Sequence, residues 1–295
     1  MVAKNLEQNL ARKSDELGRL WYKFSRNKLS VLGLIIVLLI IISAILAPYI
    51  VPYPKHYGAF VDFKHVSLPP GGEYWFGTDQ FGRDIFSRTI YALRGALVIG
   101  IGVIGLAAPI GVVLGLIAGY YANTWRETLI MRIVDIFLSL PPLVLALVAS
   151  SVVKPTLFNS MMAICLAWWA WYARITYGMA SSLRNEFYIQ SAKLIGASPW
   201  HILIKELLPN CLNTILTKMT LDMGWVILIG ASLSFVGLGE QPPKPALGTM
   251  VADGARYLPH MWWLTIFPAV AIMFIVLSFN LLGDGIGDML GVEEV

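Results

Sequence analysis

Residues 184–210, RNEFYIQSAKLIGASPWHILIKELLPN, are too polar to cross a membrane and too apolar to be an ordinary solvated loop. The stretch divides at Gly196. Residues 185 to 195 suit a short helix, Gly196 suits the turn that ends it, and Ser198 with Pro199 reads as an N-cap followed by a first-turn proline. A second short helix is expected from there to about Leu207, stopping before Pro209, because proline disfavours helical geometry in the residue ahead of it. The result is a helix-turn-helix elbow that presents Ile189, Leu194, Ile195 and Trp200, and elbows of this polarity rest on a partner or on lipid.

The flanks of the elbow set the class. It lies between two long apolar runs, about Ser160 to Ser181 and Leu212 to Leu238, and four more occur at Leu29 to Ile50, Ala92 to Tyr121, Leu129 to Val153 and Met261 to Leu282. A hydrocarbon core of about 30 Å needs about 20 apolar residues in a helix, which each run approaches or exceeds. The 295 residues are 57% hydrophobic and 14% charged, against about 25% charged in soluble domains. The expectation is an all-α membrane protein with six transmembrane helices and the elbow between spans four and five. The first run is too long, and starts too far into the chain, for a cleaved signal peptide, so it is expected to remain as an anchor.

Basic residues orient the bundle. With the N-terminus inside, twelve Lys and Arg fall in inside segments, seven of them before residue 29, against seven in the longer outside loops. Both termini and the elbow are therefore expected in the cytoplasm. The net charge of +4 follows from this topology and gives no reason to expect nucleic acid. Residues 1 to 28 read as an amphipathic lead-in along the lipid surface, with Leu17, Leu20, Trp21 and Phe24 among basic residues. Two outward loops follow from the same topology, Val51 to about Thr89 and Gly239 to His260, the latter carrying QPPKPALG, whose prolines rule out a continuous helix. The chain divides into residues 1–90, holding the lead-in, first span and outward loop, and residues 91–295, a five-helix core without internal repeat.

Chemistry-bearing groups are few. Asp79, Arg83 and Asp84 sit in the first outward loop, where the simpler reading is an ion pair that locks a turn between Gly77 and Gly82. Lys218 and Asp222 lie at i and i+4 within the fifth span and can neutralise each other, or else line a charged pore. Arg132 and Asp135, one turn apart in the third span, invite a similar pair. Trp168, Trp169, Trp171 and Tyr172 are packing or interfacial rings, or aromatics along a pathway, for which Trp168 and Trp171 are the candidates. GDGIGD at 283–288 follows a span rather than a strand, so the dinucleotide reading fails, and no G-x-x-x-x-G-K-[ST] is present. Cys165 and Cys211 read as small buried residues, and neither a cofactor nor a metal site is expected.

The elbow resembles the E-A-A loop of binding-protein-dependent ABC importer permeases. Ala192, Gly196, Leu208 and Pro209 match its order, with Ala197 beside the glycine; Gln190 and Ser191 stand where the family favours Glu and Ala, and Glu206 stands at an often aliphatic position. Further strings resemble the second permease subunit of the dipeptide/oligopeptide branch. These are Gly77-Thr78-Asp79 with Gly82-Arg83-Asp84, then Met131, Arg132 and Asp135 followed by Ser139, Pro141 and Pro142, and Phe279 through Gly285 after Phe267-Pro268, with Gly287 replacing the usual Arg. The resemblance implies a non-enzymatic pore subunit in the inner, cytoplasmic membrane of a cell. Its implied partners are a homologous second permease, two ABC ATPase subunits docked on the elbows, and an extracytoplasmic solute-binding protein seated on the outward loops near Asp79, Arg83 and Asp84. The implied cargo is a dipeptide or oligopeptide, with oligosaccharides or nickel complexes as alternatives. An ion-coupled secondary transporter is the rival from another class, and it requires titratable groups without partners near mid-membrane.

Overall fold

The computed structural model describes residues 18–291, and the part of the lead-in up to residue 17, including Leu17, lies outside them. Residues 18–26 are helical and run into α1, Lys28–Ile45, whose first turn is capped by the Asn27 side chain accepting from the Leu29 amide. The 36-residue α2, Ile85–Tyr120, is capped by Asp84, which starts it earlier than hydropathy alone indicates. Then come α3 (Trp125–Leu138), α4 (Pro142–Ser151), the 27-residue α5 (Leu157–Leu183), the elbow helix α6 (Phe187–Leu194) and α7, continuous over Pro199–Phe235. A short α8 (Leu247–Ala255) and α9 (Trp263–Leu290) complete the chain. Among the described residues the only strand-like pairing is a single bridge between Thr78 and Asp84.

Four helices, α1, α2, α7 and α9, are both long and apolar enough to cross a membrane, and α3 with α4 make a fifth candidate. The expected third span, Leu129 to Val153, is not one rod. It bends by 84° between Leu138 and Pro142, because Pro141 and Pro142 in succession push the residues before them out of helical geometry and Pro141 is extended. α5, the expected fourth span, is long enough at about 40 Å, but its Trp, Tyr and Arg residues leave it less apolar than the other candidates.

α2 lies along α5 at backbone contact. Gly111, Gly115 and Gly119 recur every fourth residue, and a Cβ on Gly115 would stand 2.5 Å from the Ala173 carbonyl oxygen. Small residues at this spacing let membrane helices approach closely, where dispersion and packing rather than hydrophobicity hold them together. The core between α2, α5 and α7 is filled by Val103, Ile164, Tyr172, Val226 and Leu233. A second core joins α1, α8 and α9 to the N-terminal half of α2. α8 follows directly on the proline run of residues 242–245, so helix resumes as soon as the prolines end.

Candidate functional site

The elbow is built by local rules. α6 ends in a paired C-cap: the Gly196 amide donates to the Lys193 carbonyl at 3.1 Å and the Ala197 amide to Ala192 at 3.0 Å, with Gly196 at φ +84°. This arrangement satisfies the last carbonyls of the helix and demands a residue free to adopt positive φ. Ser198 then caps α7, its hydroxyl accepting from the His201 amide at 3.3 Å, with Pro199 in the first turn.

The expected stop before Pro209 does not occur. Residues Ile202–Leu207 form a π-helical stretch in which the Leu208 amide reaches back to the Leu203 carbonyl, and α7 continues through Pro209. Proline in an α-helix lacks a donor and crowds the carbonyl four residues back. The widened turn shifts that spacing to five and accommodates it. The second arm of the elbow and the span are thus one continuous helix. Leu208 is half-buried against the core, and Pro209 is exposed.

Ile189 does not face outward as expected. It is fully buried beside Ile202, Leu207 and Cys211, since its position on α6 turns it into the bundle and pins the elbow to it. Its outer edge carries Phe187, Leu194 and Ile195, each more than 80% exposed, together with exposed Trp200, Gln190 and Ser191. Gln190 spends its side-chain amide on the Asn185 carbonyl at 3.0 Å, helping to cap the α5–α6 turn.

Within the bundle, α5 and α7 hold a polar cluster. Asp222 is 0% exposed, with Lys218 Nζ at 2.5 Å on one oxygen and Trp168 Nε1 donating to the other at 3.0 Å. Lys218, Asp222 and Trp168 are therefore brought together, whereas Trp171 points away and is partly exposed. The expected Arg132–Asp135 pair is replaced: Asp135 pairs with Arg174 of α5, against which α3 packs through Met131 and Val134. On the next turn of α5, Tyr177 donates to Glu127 at 3.0 Å. Cys165 and Cys211 are free and buried.

In the loop before α2, Arg83 Nε meets Asp79 Oδ2 at 2.7 Å, and Gly77 and Gly82 sit at φ +74° and +75°. Asp84 accepts from the Ser87 amide and hydroxyl, while its own amide donates to His56 Nδ1 at 2.9 Å. Asp79, Arg83 and Asp84 are all buried, so they fix the loop's shape rather than project from it. Burial holds the His56 imidazole below its ordinary value although Asp84 and Asp79 pull the other way, and burial pushes the Asp84 carboxyl up against its Ser87 hydrogen bonds. Arg88 bridges the loops that precede α2 and α8, donating to the His56 carbonyl at 3.1 Å and to the Pro243 carbonyl at 3.4 Å.

A helical bundle with a capped elbow on one side and a folded loop on the other has clear relatives. Residues 111–291 match the family described as binding-protein-dependent transport system inner membrane component, and residues 17–70 match the N-terminal TM domain of oligopeptide transport permease C. The chain belongs to this permease family. It is 37% identical over 272 residues to a probable D,D-dipeptide transport system permease protein of Escherichia coli (strain K12), covering 92% of this chain and 90% of the relative. It is also 37% identical over 280 residues to a dipeptide transport system permease protein of Haemophilus influenzae, covering 93% and 94% of the two chains. A di/tripeptide transport system permease protein of Pseudomonas aeruginosa matches at 37% over 280 residues, covering 93% and 91%. The permease is thus a multi-pass protein of the inner membrane.

Among the features of this permease that are not legible in the sequence, three bear on the site. The π stretch was hidden because Pro209 reads as a stop, and the Arg174–Asp135 pair because its partners lie 39 residues apart. The third, the purpose of GDGIGD, is packing. A Cβ on Gly283 would stand 2.5 Å from Leu221 of α7 and one on Gly285 2.3 Å from Ser30 of α1, so α9 is wedged between its neighbours by its glycines. The four-residue spacing of Gly111, Gly115 and Gly119 was the one signal available in the string for such contacts.

Proposed function

We propose that the chain forms half of the translocation pore of an ATP-driven importer of dipeptides or short oligopeptides. The other half is a homologous second permease, two ABC ATPase subunits supply the energy, and an extracytoplasmic binding protein delivers the solute. The chain crosses the membrane six times, with both ends and the elbow in the cytoplasm. Residues 91–295 act as the pore core, and residues 1–90 as its anchor and outward loop. The observation that carries this is the elbow: an apolar edge of Phe187, Leu194 and Ile195 on the capped helix α6, joined by Trp200 on the first turn of α7, which runs unbroken from the elbow into the bundle. Such an edge is costly in water and suits a hydrophobic groove on a partner, and movement of that partner is carried into the bundle by a rigid rod. Gln190, Ser191, Ala192, Gly196, Ala197, Leu208 and Pro209 shape or line this junction. The outward loop, held in shape by Asp79, Arg83 and Asp84, offers its surface to the binding protein. Peptide cargo is supported by the names of the relatives, which are dipeptide and di/tripeptide permeases. The pairing of Asp222 with Lys218 argues against ion coupling, which needs a titratable group free to exchange its proton.

Affinity purification of the tagged chain in mild detergent, with ATPase measured in the recovered complex, tests the reading. A second permease and ATPase subunits are expected to copurify, and Gly196→Pro, which cannot adopt φ +84°, is expected to abolish stimulation of ATPase by loaded binding protein while the pore subunits still pair. Recovery of the chain without ATPase subunits would sink it.

A further inference from the structure

The end of the bundle that carries the elbow also holds a recess of about 650 Å³, lined by Lys23, Arg26, Asn27, Lys28, Leu29 and Asp288. Asn213, on α7 just beyond the elbow's second arm, donates to the Leu290 carbonyl at 3.3 Å, which places the recess and the elbow on the same side. Three cations face one carboxylate here, and that carboxylate accepts from Asn27 at 3.4 Å. Among the described residues, none of the three cations has an ion-pair partner.

The recess is held in place rather than draped on the surface. Phe24, between Lys23 and Arg26, is buried where a Cβ on Gly285 would meet its ring at 2.7 Å, so the lead-in is keyed into α9. Trp21 stacks on Phe24 with centroids 5.8 Å apart and stays exposed with Tyr22, the combination of aromatic and basic side chains found at a membrane–water boundary. Below the recess, Leu29, Leu32, Ile35, Leu39 and Ile42 make an exposed stripe down α1, and Leu29 belongs to both. Three of the four small residues of α1, Ser30, Gly33 and Ala44, lie on its buried face, Ser30 and Gly33 against α9, and the fourth, Ser43, is half-buried, so the stripe lacks the close-packing residues of a helix–helix interface and has the branched aliphatic surface that acyl chains cover.

We infer that this recess binds the phosphate headgroup of an anionic phospholipid whose acyl chains lie along the α1 stripe. Each basic side chain near an anionic membrane surface contributes about 1 kcal/mol, which is about fivefold in affinity.

Native mass spectrometry of the full-length chain, titrated with phosphatidylglycerol and with phosphatidylcholine, tests this. Phosphatidylglycerol is expected to remain bound at about tenfold lower concentration than phosphatidylcholine. The triple variant Lys23→Gln/Arg26→Gln/Lys28→Gln should lose that preference, the variant Lys23→Arg/Lys28→Arg should keep it, and Lys55→Gln/Lys64→Gln in the outward loop should bind as wild type does. Equal binding of the two lipids by the wild type would overturn the inference without any variant having to fold. So would a preference that survives in the triple variant, or displacement of the lipid by millimolar inorganic phosphate, which would reveal a site for the free anion.

Discussion

A buried aspartate within an apolar helix is tolerated only when its charge is met, and Asp222 is met twice, by Lys218 and by Trp168. Removing one member of a buried ion pair strands the other and costs about 3 to 5 kcal/mol. Lys218→Met is therefore expected to destabilise the chain strongly. Asp222→Asn should cost about 1 to 2 kcal/mol, since the amide oxygen still accepts from Trp168 and the half-buried Lys218 can turn to water. The double variant should recover most of what Lys218→Met loses, and thermal unfolding of the purified chain measures all three. Were Lys218→Met to leave the melting temperature unchanged while altering which peptides are taken up, the pair would belong to the pathway. His56 makes a second residue-scale prediction. Its lowered pKa means that the unfolded loop binds the proton more readily, so the stabilisation is complete above about pH 6.5 and falls as pH drops below it. Protection of the loop from protease should decrease on acidification. Buried Asp84 titrates with the opposite sign, so the quantity to compare is the difference between wild type and His56→Gln, whose side-chain oxygen can still accept from the Asp84 amide. A pH response equal in both would remove His56 as its source. Of these contacts the Lys218–Asp222 pair was legible from its spacing. Trp168 and His56 were not, because their partners come from other elements.

At the scale of elements, close approach is what the helices require. Gly115→Leu places side-chain atoms into the Ala173 carbonyl and the Thr176 side chain, neither of which can withdraw without separating α2 from α5. Gly105, on the same helix, meets nothing within 4 Å, and Gly105→Leu should gain about 1 kcal/mol of helix propensity. Monodisperse material on size-exclusion chromatography is expected for the second variant and not for the first. Equal behaviour would show that the α2–α5 contact is looser than described. The elbow was the most legible element, since Gly196, Ser198 and Pro199 act within one turn of themselves. Its continuation through Pro209 was not legible, because a proline marks equally well a helix end and a widened turn, and only the packing of Ile202, Leu203 and Leu207 into the core selects the second. The 84° bend was lost for a related reason: hydropathy averages over Pro141 and Pro142, whose effect is on backbone angle rather than polarity.

Across the whole molecule, the two ends of the bundle are chemically distinct. At one end Asn27 before α1 bonds Asp288 near the end of α9, and Leu290 is tied to Asn213 below the elbow. At the other, Arg88 at the start of α2 is tied to Pro243 in the loop before α8. Chain ends that meet at one pole imply an even number of crossings. Four long helices and the bent pair make five candidates, so the six-crossing arrangement proposed above assigns the sixth to α5. Its Arg174 is the obstacle, because a lone cation in hydrocarbon is expensive, and the pair with Asp135 removes most of that cost. In a background of Cys165→Ala/Cys211→Ala, a membrane-impermeant maleimide should label Lys55→Cys and Lys244→Cys in spheroplasts, and Ser191→Cys only after permeabilisation. The reverse pattern would invert the orientation drawn from the basic residues. Labelling of Lys55→Cys and Ser191→Cys from the same side would break the six-span count itself, because an elbow between spans four and five and a loop after span one must then lie on opposite faces.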